Sequence, residues 1–198
     1  MRPIPFGLPV LSVLAAVLAA SAHAEPAVTF PGPVTELVSP AAGPKLTYFD
    51  PGENEFQGHD YSLRLAWPDG RSEEVLVFIR SVEASWSPSG AAFAVTDHVT
   101  ANATDCYVFT PAASGTTKVS LTDVVTQGRF PGPAWALQHS SHGTVVCDGW
   151  TGADQLHFYL EGTGDDNPRG FHYGFTYDAK AGTAALDRAP AKKAKRLR

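Results

Sequence analysis

The stretch YSLRLAW at residues 61–67 alternates apolar with polar or small side chains, so that the tyrosine, both leucines and the tryptophan fall on one face. A period of two is typical of a β-strand with one buried face. Pro-Asp-Gly at residues 68–70 predicts a turn, and the apolar run at residues 75–79 predicts a second strand, buried on both faces. Together these segments predict a β-hairpin.

Short apolar or alternating runs continue towards the C-terminus. They predict strands at residues 82–86, 91–96, 105–110, 118–121, 143–147, 156–161 and 171–178. After residue 24, no window of about twelve residues has the apolar spacing and the end caps of an amphipathic helix. The sequence therefore predicts an all-β fold of antiparallel sheets, in which helix is a minor part.

One unit of this pattern carries a family resemblance. Residues 83–97, EASWSPSGAAFAVTD, followed by CYVF at residues 106–109, resemble one blade of the WD40-like propeller repeats found in TolB-type periplasmic proteins. The match covers about residues 82–122. In such a blade, Trp86 fills the space between sheets and Ser-Pro-Ser-Gly makes a tight turn. A closed propeller requires about four or more blades of about forty residues, so we expect blade-like sheets in an incomplete propeller or a β-sandwich.

The N-terminal residues 1–24 have the three parts of a secretory signal peptide. Arg2 is positively charged, residues 8–20 are nearly all apolar, and Ser-Ala-His-Ala at residues 21–24 is a small-x-small cleavage site. The apolar part is too short to span a bilayer comfortably, and no later uninterrupted apolar run exceeds five residues. We therefore expect a mature chain that begins at Glu25, has no membrane span, and is periplasmic or secreted.

The chain has two cysteines, Cys106 and Cys147. Exported proteins meet an oxidising compartment, and an even number of cysteines leaves none unpaired. A metal or redox site would require close spacing such as C-x-x-C, which the sequence does not contain. We therefore predict one disulfide between these residues.

Composition divides the mature chain into three segments. Residues 25–57 are rich in proline and glycine and predict an extended segment with little regular structure. Residues 58–187 predict a single all-β domain, and residues 188–198 predict a basic disordered tail.

Charge is distributed unevenly between these segments. Residues 25–187 contain 20 acidic and 8 basic side chains, a net charge of −12, whereas the tail adds six basic residues and no acidic one. An acidic body argues against nucleic acid as a ligand, since phosphate binding requires a basic surface. The basic tail is suited to contact anionic polymers of the cell envelope, or the acidic body itself.

Histidines near acidic residues raise the question of a metal site. The densest group is His139, His142, Asp148 and His157. Zinc requires three or four ligands that converge at about 2 Å, and one closely spaced pair with scattered partners does not predict such convergence. The sequence favours solvent-facing histidines, with no metal or cofactor.

Two further residues complete the candidates. His98 follows Asp97, whose carboxylate is predicted to cap a turn by accepting backbone N–H groups. Trp150 lies in a predicted loop and is expected to be an exposed aromatic side chain. The set of candidate binding residues is therefore His98, His139, His142, Asp148, Trp150 and His157.

The sequence contains no Gly-x-Ser-x-Gly nucleophile elbow. We therefore expect a non-enzymatic binding module of the cell envelope or the extracellular space, which binds a protein or a glycan. The alternative is a metal-assisted hydrolase that uses His139, His142, Asp148 and His157. A purely structural envelope component, which would have no saturable ligand, is a third possibility.

Overall fold

Thirteen strands and two short helices follow one another in the computed structural model, which describes residues 26–55, 58–164 and 167–187. The strands are β1 (Val28–Phe30), β2 (Glu36–Val38), β3 (Lys45–Phe49), β4 (Tyr61–Ala66), β5 (Ser72–Phe78), β6 (Val82–Trp86), β7 (Phe93–Thr100), β8 (Ala103–Thr110), β9 (Thr117–Ser120), β10 (His142–Trp150), β11 (Gln155–Gly164), β12 (Asn167–Asp178) and β13 (Thr183–Leu186). The helices α1 (Leu121–Gln127) and α2 (Pro131–Gln138) lie between β9 and β10. The predicted signal peptide and the basic tail lie outside the described residues.

The strands form three antiparallel units of four consecutive strands each. We call β2–β5 the first unit, β6–β9 the second unit and β10–β13 the third unit. β1 pairs with β6, and β10 joins β8 through a single parallel bridge between Thr144 and Thr104. The described strands do not close into a barrel. The prediction of an all-β fold of antiparallel sheets is confirmed.

The N-terminal segment is more regular than its composition predicts. The prediction that residues 25–57 hold little regular structure is wrong, because β1, β2 and β3 all lie within it. Its prolines fall before, between and after these strands and never inside one, so no ladder hydrogen bond loses its donor. The segment therefore contributes to two units: β1 pairs with the second unit, where Phe30 lies opposite Val82, and β2 and β3 belong to the first unit.

The hairpin predicted from residues 61–79 is present as β4 and β5. The prediction that its second strand is buried on both faces is wrong. Leu76 and Phe78 are buried, whereas Val77 and Ile79 are 52% and 56% exposed. Among the described residues, only one face of the first unit packs against another layer, so Val77 stays exposed although Leu76 and Phe78 beside it are buried.

Two hydrophobic cores lie on opposite sides of the second unit. Phe93 and Val95 of β7 belong to the first core, which also takes side chains from the first unit. Ala94 of the same strand and Val108 of β8 belong to the second core, which takes side chains from α1 and the third unit. The second unit is therefore the central layer, with residues 93–97 of β7 buried on both faces.

Two residues of the EASWSPSG motif explain how the first and second units pack. Trp86 is 2% exposed, and its indole Nε1–H donates a hydrogen bond to the Leu37 carbonyl at 3.1 Å. Gly90 has φ +71°, and a Cβ there would lie 2.6 Å from the Cβ of Ala41. Only glycine suits this turn, because both the backbone conformation and the close approach exclude a side chain. The resemblance to a propeller blade stays a prediction.

The two helices were not predicted from sequence. They have seven and eight residues, which is too short for a periodic apolar pattern to be visible. Their start signals are present: the Ser120 side chain accepts a hydrogen bond from the Asp123 backbone N–H, and Pro131 begins α2. Neither described helix is long and apolar enough to cross a membrane.

The disulfide between Cys106 and Cys147 is present, as predicted. It joins β8 to β10, with Cα atoms 5.4 Å apart, and so links the second and third units. Two hydrogen bonds lie beside it. The Cys147 N–H donates to Thr96 Oγ1 at 3.0 Å, and Thr104 Oγ1 donates to the Val145 carbonyl at 3.2 Å.

Candidate functional site

His157 is held between two carboxylates on the outer face of the third unit. Its Nδ1 lies 2.8 Å from Asp148 Oδ2, and its Nε2 lies 2.9 Å from Asp187 Oδ2. The hydroxyl of Thr176 donates a hydrogen bond to the other oxygen of Asp187 at 3.1 Å. Gly174 leaves room for this arrangement, since a Cβ there would lie 2.9 Å from Asp187 Oδ2. Because both ring nitrogens have partners, neither is placed to take a proton from a substrate or to bind a metal.

The other predicted histidines lie apart from this cluster. His98 Nε2 lies 3.2 Å from Glu83 Oε1 on the neighbouring strand. His139 Nδ1 contacts the Trp135 carbonyl at 2.8 Å, and its ring stacks on the Trp135 indole. His142 begins β10 and pairs with Thr163.

Among the described residues, Asp148 thus contacts His157, whereas His139 contacts Trp135 and not the other candidate residues. Across the described ranges, no group of three or more histidine, cysteine, aspartate and glutamate side chains has the arrangement of a metal centre. Of the four described residues in the sequence-based hydrolase hypothesis, only Asp148 and His157 are in contact.

Trp150 is not exposed, which corrects the sequence prediction. The side chain is 6% exposed and packs in the second core. Its Nε1–H is within hydrogen-bonding distance of both Ser85 Oγ, at 3.2 Å, and the Ser85 carbonyl, at 3.3 Å. The reason is that β10 continues to residue 150, and a bulge between Cys147 and Gly149 shifts the alternation of the strand. Both Cys147 and Trp150 can therefore face the core.

Asp97 is also placed differently from its prediction. It lies within β7, between Val82 on β6 and Asp105 on β8, and is 7% exposed. No other described residue donates a hydrogen bond to its carboxylate, so it does not cap a turn. Burial raises the pKa of this carboxyl group; Lys118 opposes the shift, Asp105 adds to it and His98 opposes it.

A polar cluster next to Asp97 was missed by the sequence analysis. The Asp105 carboxylate accepts hydrogen bonds from the Thr122 hydroxyl at 2.7 Å and from the Ser120 hydroxyl at 3.3 Å. Lys118 Nζ lies 3.7 Å from the centre of the Tyr107 ring, a cation–π contact. Burial raises the pKa of Tyr107, and the neighbouring Asp105 adds to this shift.

This cluster opens onto a groove beside α1. A depression of about 390 Å³ contains Asp105, Tyr107 and Lys118, and a second one of about 600 Å³ extends to Arg129 and Phe130. The two depressions share Lys118, Ser120 and Asp123. We call the combined surface the Lys118 groove, lined by Asp105, Tyr107, Lys118, Val119, Ser120, Thr122, Asp123, Val124, Gln127, Gly128, Arg129, Phe130, Gly182, Thr183 and Ala184.

The Lys118 groove brings two cations, Lys118 and Arg129, into one concave surface together with two carboxylates, Asp105 and Asp123. Within the described residues, neither Lys118 nor Arg129 has a carboxylate at ion-pair distance; of the 8 basic side chains of residues 25–187, only Lys45 and Arg71 form ion pairs, with Glu36 and Asp69. No protein-family model, curated protein or solved structure matches the chain. The function is therefore inferred from the side chains of the groove alone.

The raised pKa of Asp97 gives a testable pH dependence. The folded state keeps the Asp97 proton to higher pH than the unfolded state does. Stability is therefore lost as the pH rises from the unfolded pKa of about 3.9 through the folded one. We expect Asp97→Asn, which is uncharged at every pH, to resist urea better than the parent at pH 7, with a smaller advantage at pH 3.5.

Asp69→Asn is the matched control for this experiment. The hydrogen bonds from Arg71 lower the pKa of the exposed Asp69 carboxyl group. A lowered pKa stabilises the fold above the unfolded pKa and ceases to do so as the pH falls through the folded one. Asp69→Asn should therefore lose stability at pH 7. An Asp97→Asn advantage of equal size at both pH values would contradict the assignment.

Proposed function

We propose that the chain is an exported, non-enzymatic binding module of the periplasm or the extracellular space, and that it binds an anionic glycan in the Lys118 groove. The secretory signal pattern at residues 1–24 and the Cys106–Cys147 disulfide support export. The placement of His157, with both nitrogens engaged, speaks against its use as a general base.

The observation that carries the proposal is the pair of cations in the groove. Lys118 and Arg129 line the same depression of about 600 Å³ and lack carboxylate partners among the described residues. The segment 25–187 has only 8 basic side chains against 20 acidic ones, so two cations without an ion-paired carboxylate in one concave surface favour an acidic ligand group.

The other polar groups of the groove are suited to a saccharide rather than a simple anion. Asp123 supplies a carboxylate that accepts hydrogen bonds from ligand hydroxyls, and Gln127 supplies both a donor and an acceptor. The hydroxyls of Ser120 and Thr122 add further polar groups, although both are bonded to Asp105. A few placed polar groups in a concave surface are the usual features of a ligand site.

Titration calorimetry with an acidic and a neutral polysaccharide tests the proposal. We expect the purified chain to bind polygalacturonate and not dextran, and the affinity to fall as salt is added. Lys118→Gln combined with Arg129→Gln should weaken binding by about tenfold or more, which corresponds to about 1.4 kcal/mol. Lys180→Gln is the control, because Lys180 lines a separate depression. Equal binding of both polymers, or of the double variant and the parent, would refute the proposal.

Two further measurements test whether the basic tail or a metal centre, instead of the groove, carries the function. Truncation before Arg188 removes the six cations of the tail, and loss of all binding on truncation would assign recognition to the tail. Elemental analysis addresses the sequence-based alternative of a metal-assisted hydrolase. Stoichiometric zinc in the purified chain would favour that alternative over the present proposal.

A further inference from the structure

The outer face of the first unit carries exposed apolar side chains from three strands. Val38 on β2, Phe49 on β3 and Val77 on β5 are 56%, 46% and 52% exposed. Along each strand they alternate with side chains that are buried or packed against the first core, so the three belong to the face that points away from it. Exposed apolar groups collected on one face mark an interaction surface more reliably than scattered ones.

Two of these side chains form a continuous row with Ser62. The register pairs Phe49 with Ser62 on β4, and Ser62 with Val77 on β5. Ser62 is only 4% exposed although it lies on the outer face. Arg64 packs its guanidinium 4.3 Å from the centre of the Phe49 ring, and its Nε–H donates a hydrogen bond to Ser62 Oγ at 3.1 Å. The row is therefore held in place before any partner binds.

The charges on this face cancel. Glu36 and Lys45 form an ion pair, and Arg64 lies opposite Glu74 in the register of β4 and β5. Two acidic and two basic groups give the face no net charge, whereas residues 25–187 together carry −12. Copies of an acidic protein repel each other through their net negative charge, and this face adds nothing to that repulsion.

We propose that the outer face of the first unit pairs with the same face of a second copy of the chain. A two-fold axis would bring each apolar row and each charge pair against its own counterpart, as in other isologous interfaces. The packing would be that of two sheets face to face. It would cover Phe49 and Val77 in the way the second unit covers the inner face.

The size of the face sets the expected affinity. Four strands about 4.8 Å apart and three to seven residues long, at about 3.3 Å per residue, give a face of roughly 20 Å by 17 Å. A standard stable interface buries about 800 Å² per partner, so this face has about half the standard area or less and suits a weak, transient dimer. We therefore expect a dimer with a dissociation constant of about 10 µM.

Sedimentation velocity of the purified chain at concentrations from about 1 to about 200 µM, a range that brackets this affinity, tests the proposal. We expect a monomer at the lowest concentration and a dimer at the highest. Val77→Glu places two buried carboxylates in each dimer and should leave the chain monomeric throughout. Phe49→Ser, which adds no charge, should weaken the dimer about tenfold or more. A parent chain that stays monomeric at the highest concentration overturns the proposal, whatever other protein binds the face.

Val99→Glu is the matched control, because Val99 is 39% exposed but lies on β7, outside the first unit. It should leave the dimer unchanged, and equal dissociation of both glutamate variants would also overturn the proposal. Melting temperatures near that of the parent show that the variants fold. The Lys118 groove is lined by residues of other units, so Val77→Glu should still bind polygalacturonate, and failure of either proposal leaves the other testable.

Discussion

Removal of the Cys106–Cys147 disulfide should lower the free energy of unfolding by about 4 kcal/mol. The two cysteines are 41 positions apart in sequence, and the cross-link removes the entropy of that loop from the unfolded chain. A loss of this size is a large share of the about 5–15 kcal/mol that stabilises a typical domain. Urea unfolding of the parent and of the Cys106→Ala/Cys147→Ala double variant measures it directly.

Loss of the disulfide should destabilise the third unit more than the rest of the fold. β10 meets the second unit at one parallel bridge and through hydrogen bonds that involve Cys147 N–H, Thr104 Oγ1 and Trp150 Nε1–H, and the disulfide is the covalent link between the two units. We expect amide hydrogen exchange in β10 to accelerate more than in β4 or β7. A reducing agent should reproduce the effect in the parent and change nothing in the double variant. Equal urea midpoints for both proteins would contradict the prediction.

Local features of the fold could be predicted from the sequence because they depend on neighbouring residues. The alternation in residues 61–67 gives a strand whichever partner it finds, and Pro-Asp-Gly fixes the turn to β5. The disulfide could also be predicted, because two cysteines allow only one pairing and the signal-peptide pattern predicts an oxidising compartment.

Features that depend on distant residues could not be predicted. The pairing of β1 with β6 joins Phe30 to Val82, more than fifty positions away, and nothing in the proline-rich segment indicates it. The Lys118 groove combines β9 and α1 with the turn around Gly182, which lies far along the chain. Asp97 and Asp105 are both visible in the sequence, but only the register of β7 and β8 places one opposite the other.

Trp150→Ala should destabilise the fold by about 3–5 kcal/mol, the usual cost of deleting a large buried aromatic side chain. The indole packs in the second core, so its removal leaves a cavity among side chains of the second and third units. Trp150→Phe keeps much of the packing but loses the Nε1–H donor, which leaves Ser85 without that partner. We expect this variant to lose about 1–3 kcal/mol. Thermal and urea unfolding of both variants measure the two contributions separately.

Trp135→Ala is the control, because Trp135 is 47% exposed and its main ring contact is with His139 on the same side of α2. It should cost less than either Trp150 variant, since little core surface is uncovered. Comparing the Trp150 and Trp135 variants also distinguishes a ligand-binding role of Trp150 from a role in the core. A ligand-binding aromatic would lose affinity for polygalacturonate at unchanged stability, whereas a core residue loses stability first. Because β10 carries Trp150 past the bulge and into the second core, we expect the second result.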